Sequence, residues 1–306
     1  MGNPLTSSQF TKLLDNRLRE VSENEWNELP SMIPTMYRML SSDSAIEEFY
    51  GIGSLPDIPQ FTGKLQYLGI APGFYTKIEP KEFAGGIQIE RKLLDDKKYS
   101  VMDDRAASLA NSAQRVREKY GVRPFAYAFS SAYDFMQSEE GVSLCNSSHS
   151  TKSGTSTTSG FGNAGTTALS KTSVAATRLL MRKFRNDISE RIVIEPDTLI
   201  VPDNLADTAY EIVQTDKGLY SAEGTVNVNK GRFKVIVYPR LDDYDTNNWF
   251  MSDSRLMKKY MIWIDRIAKE VNNTIDFETF MVKHSIYFRI GNGWTNWRHI
   301  YGHNVS

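Results

Sequence analysis

The stretch "SVMDDRAASLANSAQRVREKYG", residues 100–121, constrains the fold of this chain more than any other. Ala106, Leu109, Ala110, Ala113, Val116 and Tyr120 recur at helical spacing and form one apolar stripe. Ser100 with Asp103 three residues on reads as a capping pair, Asp104 suits the positive end of the helix dipole, and Gly121 reads as the stop. The alanines on the stripe are small enough to let another backbone approach closely. Asn111, Arg115 and Glu118 fall on the opposite face, where solvent is expected.

Before this helix the chain changes character three times. Phe10, Leu13, Leu14, Leu18 and Val21 predict an amphipathic N-terminal helix capped by Thr6 or Ser7, and a second, shorter helix is expected at about Ser42 to Tyr50. The segment "GIGSLPDIPQFTG" then breaks regular structure with three glycines and two prolines. From Phe61 to Ser100 the reading is β: Phe74, Thr76 and Ile78 alternate with polar residues, as do Ile87 and Ile89, interrupted by Pro80 and Gly85-Gly86. Large apolar residues are sparse there. A lone hairpin of this kind is marginal in water, so its apolar side chains are expected to be satisfied only across a boundary with another subunit.

After the helix, Pro124 is read as restarting an apolar helix, "PFAYAFSSAYDFMQ". Ser143 to Ser173, rich in Gly, Ser and Thr, reads as a long exposed loop. A helix follows through Val174, Leu179, Leu180 and Phe184, then short buried strands in "RIVIEPDTLIVP", a helix from "DNLADTAYEIV" and a strand in "GRFKVIVYPRL". "SRLMKKYMIWIDRI" is apolar enough to be helix or strand, and the last segments read as strands. The class is α+β.

Composition bounds the function. The 306 residues carry 36 Lys+Arg against 37 Asp+Glu, a net charge of -1, so no global basic field announces a tightly gripped nucleic acid. The single cysteine, Cys145, excludes an intramolecular disulfide framework and a cysteine-only zinc site, and fits a reducing compartment. The N-terminal residues hold no apolar signal region, and no segment approaches the length of a membrane span.

Four motifs invite a chemical reading. Gly160-Phe-Gly162-Asn-Ala-Gly165 fits G-x-G-x-x-G, but twelve polar or small residues precede it where a dinucleotide site needs a buried strand, and position 185 is Arg where the ribose acid belongs. It reads as a flexible loop in which alanine substitutions should cost little unless a positive φ is required. His299 and His303 stand four apart with Gly302 between them and no intervening acid, which favours terminal strand residues over a metal pair. Cys145 with His149 lacks an orienting partner for a thiol–imidazole dyad. The acidic pairs Asp95-Asp96, Asp103-Asp104 and Asp242-Asp243 read as solvated surface or caps. No catalytic, cofactor or metal residue is expected, and the chain is read as a non-enzyme. A nucleotide-dependent enzyme using Gly160–Gly165 stays as the remote alternative.

The order of segments resembles the major head subunits of tailed bacteriophages, in particular the Mu-like family, with the Hong Kong 97 (HK-97) type capsid fold. "GIGSLPDIPQFTGKL" is similar to that family's W-L-G-x-x-P stretch, and "EFAGGIQIERKLLDDKKYSVMDDRAASLANSAQ" to its strand, acidic turn and spine helix. "EEGVSLCNSSHSTKSG" resembles its D-G-x-x-x-F-x-x-x-H-P loop, with Glu140 for Asp, Cys145 for Phe and Ser150 for Pro; "IEPDTLIVPDNLADTAYEI" resembles its K-P-T-H-I-V-V-P strand and helix. The resemblance runs from about Gly51 to Arg298.

It implies an icosahedral shell of hexamers and pentamers around double-stranded DNA. The implied parts are an N-terminal arm (1–60), an extended β-hairpin loop (61–100), a peripheral domain with the spine helix (101–165), an axial domain (166–254) and a return to the peripheral domain (255–306). Phe74, Tyr75, Lys77, Ile78, Phe83, Ile87, Ile89 and Arg91 become the candidate contacts between subunits. Implied partners are other copies of the chain, a separate scaffolding protein (no long extension precedes the arm), portal and decoration proteins, and packaged DNA touched non-specifically; no membrane and no cofactor are implied. The implied location is the virion, and host cytoplasm during assembly. Self-crosslinking would draw on Lys77 or Lys81, for which simple solvation is the plainer reading. An encapsulin-like compartment shell has the same fold and is the nearer alternative.

Overall fold

A computed structural model describes residues 7–90, 92–93, 96, 98–216, 226–276, 278–279 and 281–305, with side chains of the first helix described from Asn16 on. Its axis is the helix anticipated above. α1 (Ser7–Glu28), α2 (Ile33–Met36), β1 (Arg38–Ser41), β2 (Glu47–Ile52), β3 (Pro72–Ile78) and β4 (Lys81–Ile89) precede it, and α3 itself runs 28 residues, Tyr99–Ala126.

α3 begins and ends differently from expectation. No side chain caps its start at Lys98; Asp103 instead holds Arg17 of α1 through two bonds of 2.9 and 2.6 Å. Gly121 lies inside the helix, where a Cβ would come within 3.0 Å of Ile33 Cγ1 and Tyr238 Oη, so it is a close-approach residue and not a stop. Pro124 sits in the last turn instead of starting a new helix. A proline there leaves the carbonyl four residues back without its donor. That carbonyl, Tyr120 O, accepts from Asn292 Nδ2 at 2.6 Å, and Gly121 O accepts from Tyr37 Oη at 2.5 Å. The one acceptor the proline frees, Tyr120 O, is thus paired from outside, and the helix survives its proline.

The surface beneath α3 is a four-stranded sheet in the order β1-β10-β11-β4, where β10 is Met261–Ile275 and β11 is Val282–Trp294. Val282, His284, Ile286, Phe288 and Ile290 alternate inward along β11, the period of a strand with one covered face. β4 pairs with β11 through nine positions, from Lys81↔Ile290 to Ile89↔Val282. Its other edge pairs with no strand among the described residues, and β3 lies in a different sheet, so β3 and β4 are not paired as the two arms of one hairpin. Pro80 divides them between two sheets.

α3 is buried on more sides than the apolar stripe implied. Ala106 and Ala110 are fully enclosed against the sheet, but Glu118, expected outside, is buried too: its carboxylate accepts from Ser31 Oγ at 2.6 Å, and burial raises its protonation range. Asn111 donates to Glu25 of α1 at 2.7 Å. Arg117 lies between the rings of Trp26 and Trp263, 5.3 Å from each, and pairs with Asp265 at 2.9 Å. Arg115 alone of the three expected outer residues is exposed. Ala110→Leu is therefore expected to cost ~1–3 kcal/mol of subunit stability by overpacking, against under about 0.5 kcal/mol for Arg115→Ala. Thermal unfolding of the two variants checks the difference, and equal losses would contradict this placement of the helix.

The second half of the chain builds a five-stranded sheet ordered β6-β12-β9-β7-β8: β6 is Ala164–Gly165, β7 Thr198–Val201, β8 Lys234–Val237, β9 Trp249–Ser252 and β12 Ile300–His303. β7 and β9 are buried at every position, as strands covered on both faces must be. α4 (Lys171–Met181) starts at a capping box of Ser170 and Ser173 and buries Val174, Thr177 and Met181, leaving Leu179 and Leu180 outside. α5 (Ala206–Gln214) buries Ala209, Ile212 and Val213. The ambiguous "SRLMKKYMIWIDRI" is both things in turn: α6 (Ser254–Tyr260), capped by Asp253 on Leu256 N–H at 3.0 Å, runs straight into β10.

A third, three-stranded sheet joins β2, β3 and β5 (Gln137–Ser138). It replaces the short helix expected near Ser42–Tyr50. Cross-strand partners decide the matter: the Tyr50 and Tyr75 rings lie 5.2 Å apart, and Glu48 accepts from both hydroxyls at 2.8 and 2.7 Å. Among the described residues no helix is long and apolar enough to cross a membrane.

Candidate functional site

β2 and β3 are the legs of a hairpin whose long connection, residues 53–71, has no regular structure. Tyr50, Ile52, Leu55, Ile58, Phe61, Leu65, Tyr67 and Ile70 are all exposed on it, Ile58 at 89% and Tyr67 at 92%. An apolar concentration of this size on one projecting element marks a surface meant for a partner. The neck is closed tightly. Gly53 N–H donates to Ala71 O at 2.9 Å, Ser54 N–H to Asp187 at 2.9 Å and Tyr75 N–H to Glu139 at 2.9 Å. The two phenols lower the Glu48 carboxyl, and Tyr75 is pushed up to about 12 by its bond to Glu48. A cavity of about 320 Å³, lined by Phe74, Lys152, Asp187, Tyr260 and Arg298 among others, lies beside this neck.

The residues expected at subunit contacts divide. Phe74, Tyr75 and Lys77 are half-buried on β3, beside the hairpin neck. Ile78 is fully enclosed in the main core, and Ile89 packs with Leu18 and Met102 in a smaller one. Phe83 stacks on Phe288 at 5.3 Å and meets Tyr120 at 5.1 Å, while Ile87 is half-buried against the smaller core. Arg91 lies outside the described residues. The expectation that this segment is satisfied only by another subunit is thus corrected for Ile78, Phe83 and Ile89: β4 is sheet-paired, and their partners are in the chain itself. Lys81, considered for crosslinking, pairs with Asp134 at 3.0 Å. The exposed tip was missed because its glycines and prolines read only as a break. Its signal was present in the large apolar residues scattered through that break without a period.

The glycine stretch is neither a phosphate cradle nor a slack loop. No strand leads into Gly160. Its carbonyl accepts from Arg185 N–H, Phe161 O accepts from His149 N–H at 2.8 Å, and Gly165 O accepts from Asn304 N–H at 2.9 Å. Asn163, fully buried, is the knot: its Oδ1 accepts from Asn146 N–H at 2.8 Å and faces His149 Nε2 at 3.0 Å, and its Nδ2 donates to Leu144 O at 2.9 Å and Ile300 O at 3.1 Å. Gly160 has φ +80°, and a Cβ there would lie 2.4 Å from Lys183 O; at Gly162 it would lie 2.4 Å from Ser147 O. Gly160 is thus the positive-φ exception the expectation allowed for, and at Gly162 the expectation of a cheap alanine substitution is corrected by the contact with Ser147 O.

Cys145 and His149 form no dyad. The His149 ring stacks on Trp297 at 4.1 Å and bonds Glu140 at 3.0 Å, while burial drives the Cys145 thiol far upward. His299 and His303 are buried separately. His303 stacks on Trp249 at 4.2 Å, its Nδ1 accepting from Thr167 N–H at 3.2 Å and its Nε2 meeting Thr177 at 2.8 Å; His299 donates through Nδ1 to Asn296 O at 2.7 Å. Among the described residues no His, Cys, Asp and Glu cluster could hold a metal ion. Asp242 caps the turn into α5 by accepting from Asp203 N–H at 2.8 Å; Asp95 lies outside the described residues.

Burial lowers both His299 and His303 to about 4. The unfolded chain binds protons at these positions below about 6.5 and the folded one does not, so stability falls as pH falls from about 6.5 to 4, by at most about 3.5 kcal/mol for each ring. Unfolding midpoints measured from pH 7 to 4.5 should decline over that window. His303→Gln should flatten the decline, and an unchanged slope would contradict the assignment.

The three-sheet subunit thus carries a run of exposed apolar residues on the β2–β3 hairpin, the kind of surface that suits contact with a partner. Its fold is that of HK-97-type capsid subunits. The capsid of the native GTA particle matches with TM-score 0.52 at 12% identity, covering 91% of each chain. The bacteriophage JBD30 capsid matches with TM-score 0.54 at 12% identity over 70% of this chain and 91% of that one. A virus-like particle from Pyrococcus furiosus matches with TM-score 0.52 at 12% identity over 94% and 98%. No curated protein matches the sequence. The model of the phage capsid protein family matches residues 74–302, and the chain belongs to that family.

Proposed function

We propose that this chain is the major shell subunit of a tailed-bacteriophage head, closing as hexamers and pentamers around double-stranded DNA. The observation that carries the reading is the exposed apolar tip between β2 and β3, which would lie on a neighbouring copy as the extended loop. In this reading the loop spans about 47–78, and β4 belongs with the sheet under the spine helix. α1 serves as the arm that rides on α3, and the half built on the five-stranded sheet meets its copies at the capsomer centre. Phe74, Tyr75 and Lys77 remain contact residues at the loop's base. A scaffolding protein, a portal and decoration proteins are the expected partners in assembly within the host cytoplasm.

Electron microscopy of the expressed chain, alone and with the products of adjacent genes, tests this. Closed shells of uniform diameter are expected. Monodisperse monomers under every condition would overturn the reading.

A further inference from the structure

Two helices of the five-stranded sheet present outward faces that the other described residues leave exposed. α4 turns Val174, Thr177 and Met181 inward and carries Leu179 and Leu180 outward, 53% and 41% exposed, beside Arg178, Arg182 and Lys183. Arg232, just before β8, stands close enough to repel Arg178, whose guanidinium is lowered by burial first and then by Arg232 and Arg182. Among the described residues no carboxylate lies within ion-pair distance of these four cations. An ordinary solvated helix face intersperses opposite charges three and four residues apart. This one does not.

α5 is its counterpart. Ala209, Ile212 and Val213 face inward, while Asp207 and Glu211, one turn apart, face outward around Tyr210, which is 41% exposed. Neither carboxylate has a cation within ion-pair distance among the described residues. One face offers bases around leucines and the other acids around an aromatic ring. The helices also agree in length, 11 and 9 residues, or roughly 16 and 13 Å at 1.5 Å per residue.

We infer that α4 of one copy docks on α5 of the next, Arg178 and Arg182 pairing with Asp207 and Glu211 around Leu179 packed on Tyr210. The inference rests on the shell reading above and adds a specific contact to it. Because the two patches differ, the contact is head-to-tail, the kind that closes rings when the rotation allows. Packaged DNA is the competing partner for the arginines. It would leave two exposed leucines against phosphate and the acidic face of α5 without a role.

Charge reversal separates these. The variants are R178E/R182E, D207K/E211K and the four changes combined, each made in the full chain and compared with wild type by unfolding midpoint, sedimentation and electron microscopy. Each double variant should keep its fold and lose shell yield by more than about tenfold, since like charges then face each other. The combined variant, with the pairing inverted, should recover most of the yield. Should reversal unfold the subunit, R178Q/R182Q is read instead, with a smaller loss of shells at an unchanged midpoint. Normal shells from either double variant overturn the contact. So does loss confined to R178E/R182E with no recovery in the combined variant, which would assign the arginines to an anion such as DNA. Absence of shells from the wild-type chain overturns the shell reading itself, and this contact with it.

Discussion

Excision of residues 54–70, with Gly53 rejoined to Ala71 through a short Asn-Gly link, is expected to give a folded subunit that builds no shells. The backbone bond from Gly53 N–H to Ala71 O at 2.9 Å shows that the cut ends already lie side by side, so the closure needs only a two-residue turn. The excised residues are exposed apart from the half-buried Ser54 and Leu68, and the subunit loses little buried area and one bond, from Ser54 N–H to Asp187; its unfolding midpoint should stay within about 3 °C of wild type. Assembly is another matter. Leu55, Ile58, Phe61, Leu65, Tyr67 and Ile70 would each contribute about 1.5–3 kcal/mol if covered by a neighbour, on the order of 10 kcal/mol per copy before the costs of ordering the tip and fixing the partner. That gross term is too large for a shell to lose in every copy. The readouts are particle yield by sedimentation and solubility of the free subunit, which should rise as the apolar tip disappears. Normal particles from the shortened chain would mean that the hairpin is not a subunit contact.

The parts of this fold that were legible in the sequence are those where one period dominates a long run. The spine helix shows itself through Ala106, Ala110 and Ala113, and β11 through the alternation from Val282 to Ile290. Its ends were not legible, because Gly121 and Pro124 are ordinary stop signals whose effect is cancelled from far away in the chain. Asn292, Tyr37 and Ile33 do the cancelling, and nothing local to residues 121–124 announces them. The same holds for Glu118. Its position on the helix wheel says solvent, and only the passage of Ser31 and Met32 beside it makes it a buried acceptor.

The interface was legible in kind and misplaced in position. A segment unable to stabilise itself was recognised, but β3 and β4 were joined across Pro80 as one hairpin. Sheet register separates them: β4 follows β11 over nine residues, whereas β3 follows β2, a strand that Ser42–Tyr50 had hidden under a helical pattern. Short segments such as Glu47–Ile52 are decided by their partner strand and not by their own propensity. The family resemblance survives this shift because it rests on the order of segments and not on the hairpin's boundaries.

The glycines at 160 and 162 give the largest expected loss of subunit stability from so small a change. Three alanine substitutions separate the causes. Gly154 has φ +68° with open space around its would-be Cβ, so Gly154→Ala carries only the backbone strain of a left-handed residue, about 1 kcal/mol. Gly162 is not left-handed, yet its Cβ would stand 2.4 Å from Ser147 O, so Gly162→Ala carries a steric cost alone. Overpacking of this kind typically costs ~1–3 kcal/mol, and here the upper end is expected because the obstructing atom is backbone. Asn163, the next residue, is tied at both ends of its amide and resists any yielding of the segment. Gly160 combines both penalties, φ +80° and a Cβ 2.4 Å from Lys183 O. Gly160→Ala should therefore cost roughly 3–4 kcal/mol, the sum of the two terms for a single site. The expected order of unfolding midpoints is Gly154→Ala highest, Gly162→Ala next and Gly160→Ala lowest, with shell yield following the same order through loss of folded subunit. A Gly160→Ala chain as stable as the Gly154→Ala chain would show that the stretch yields freely, and would return it to the status of a slack loop.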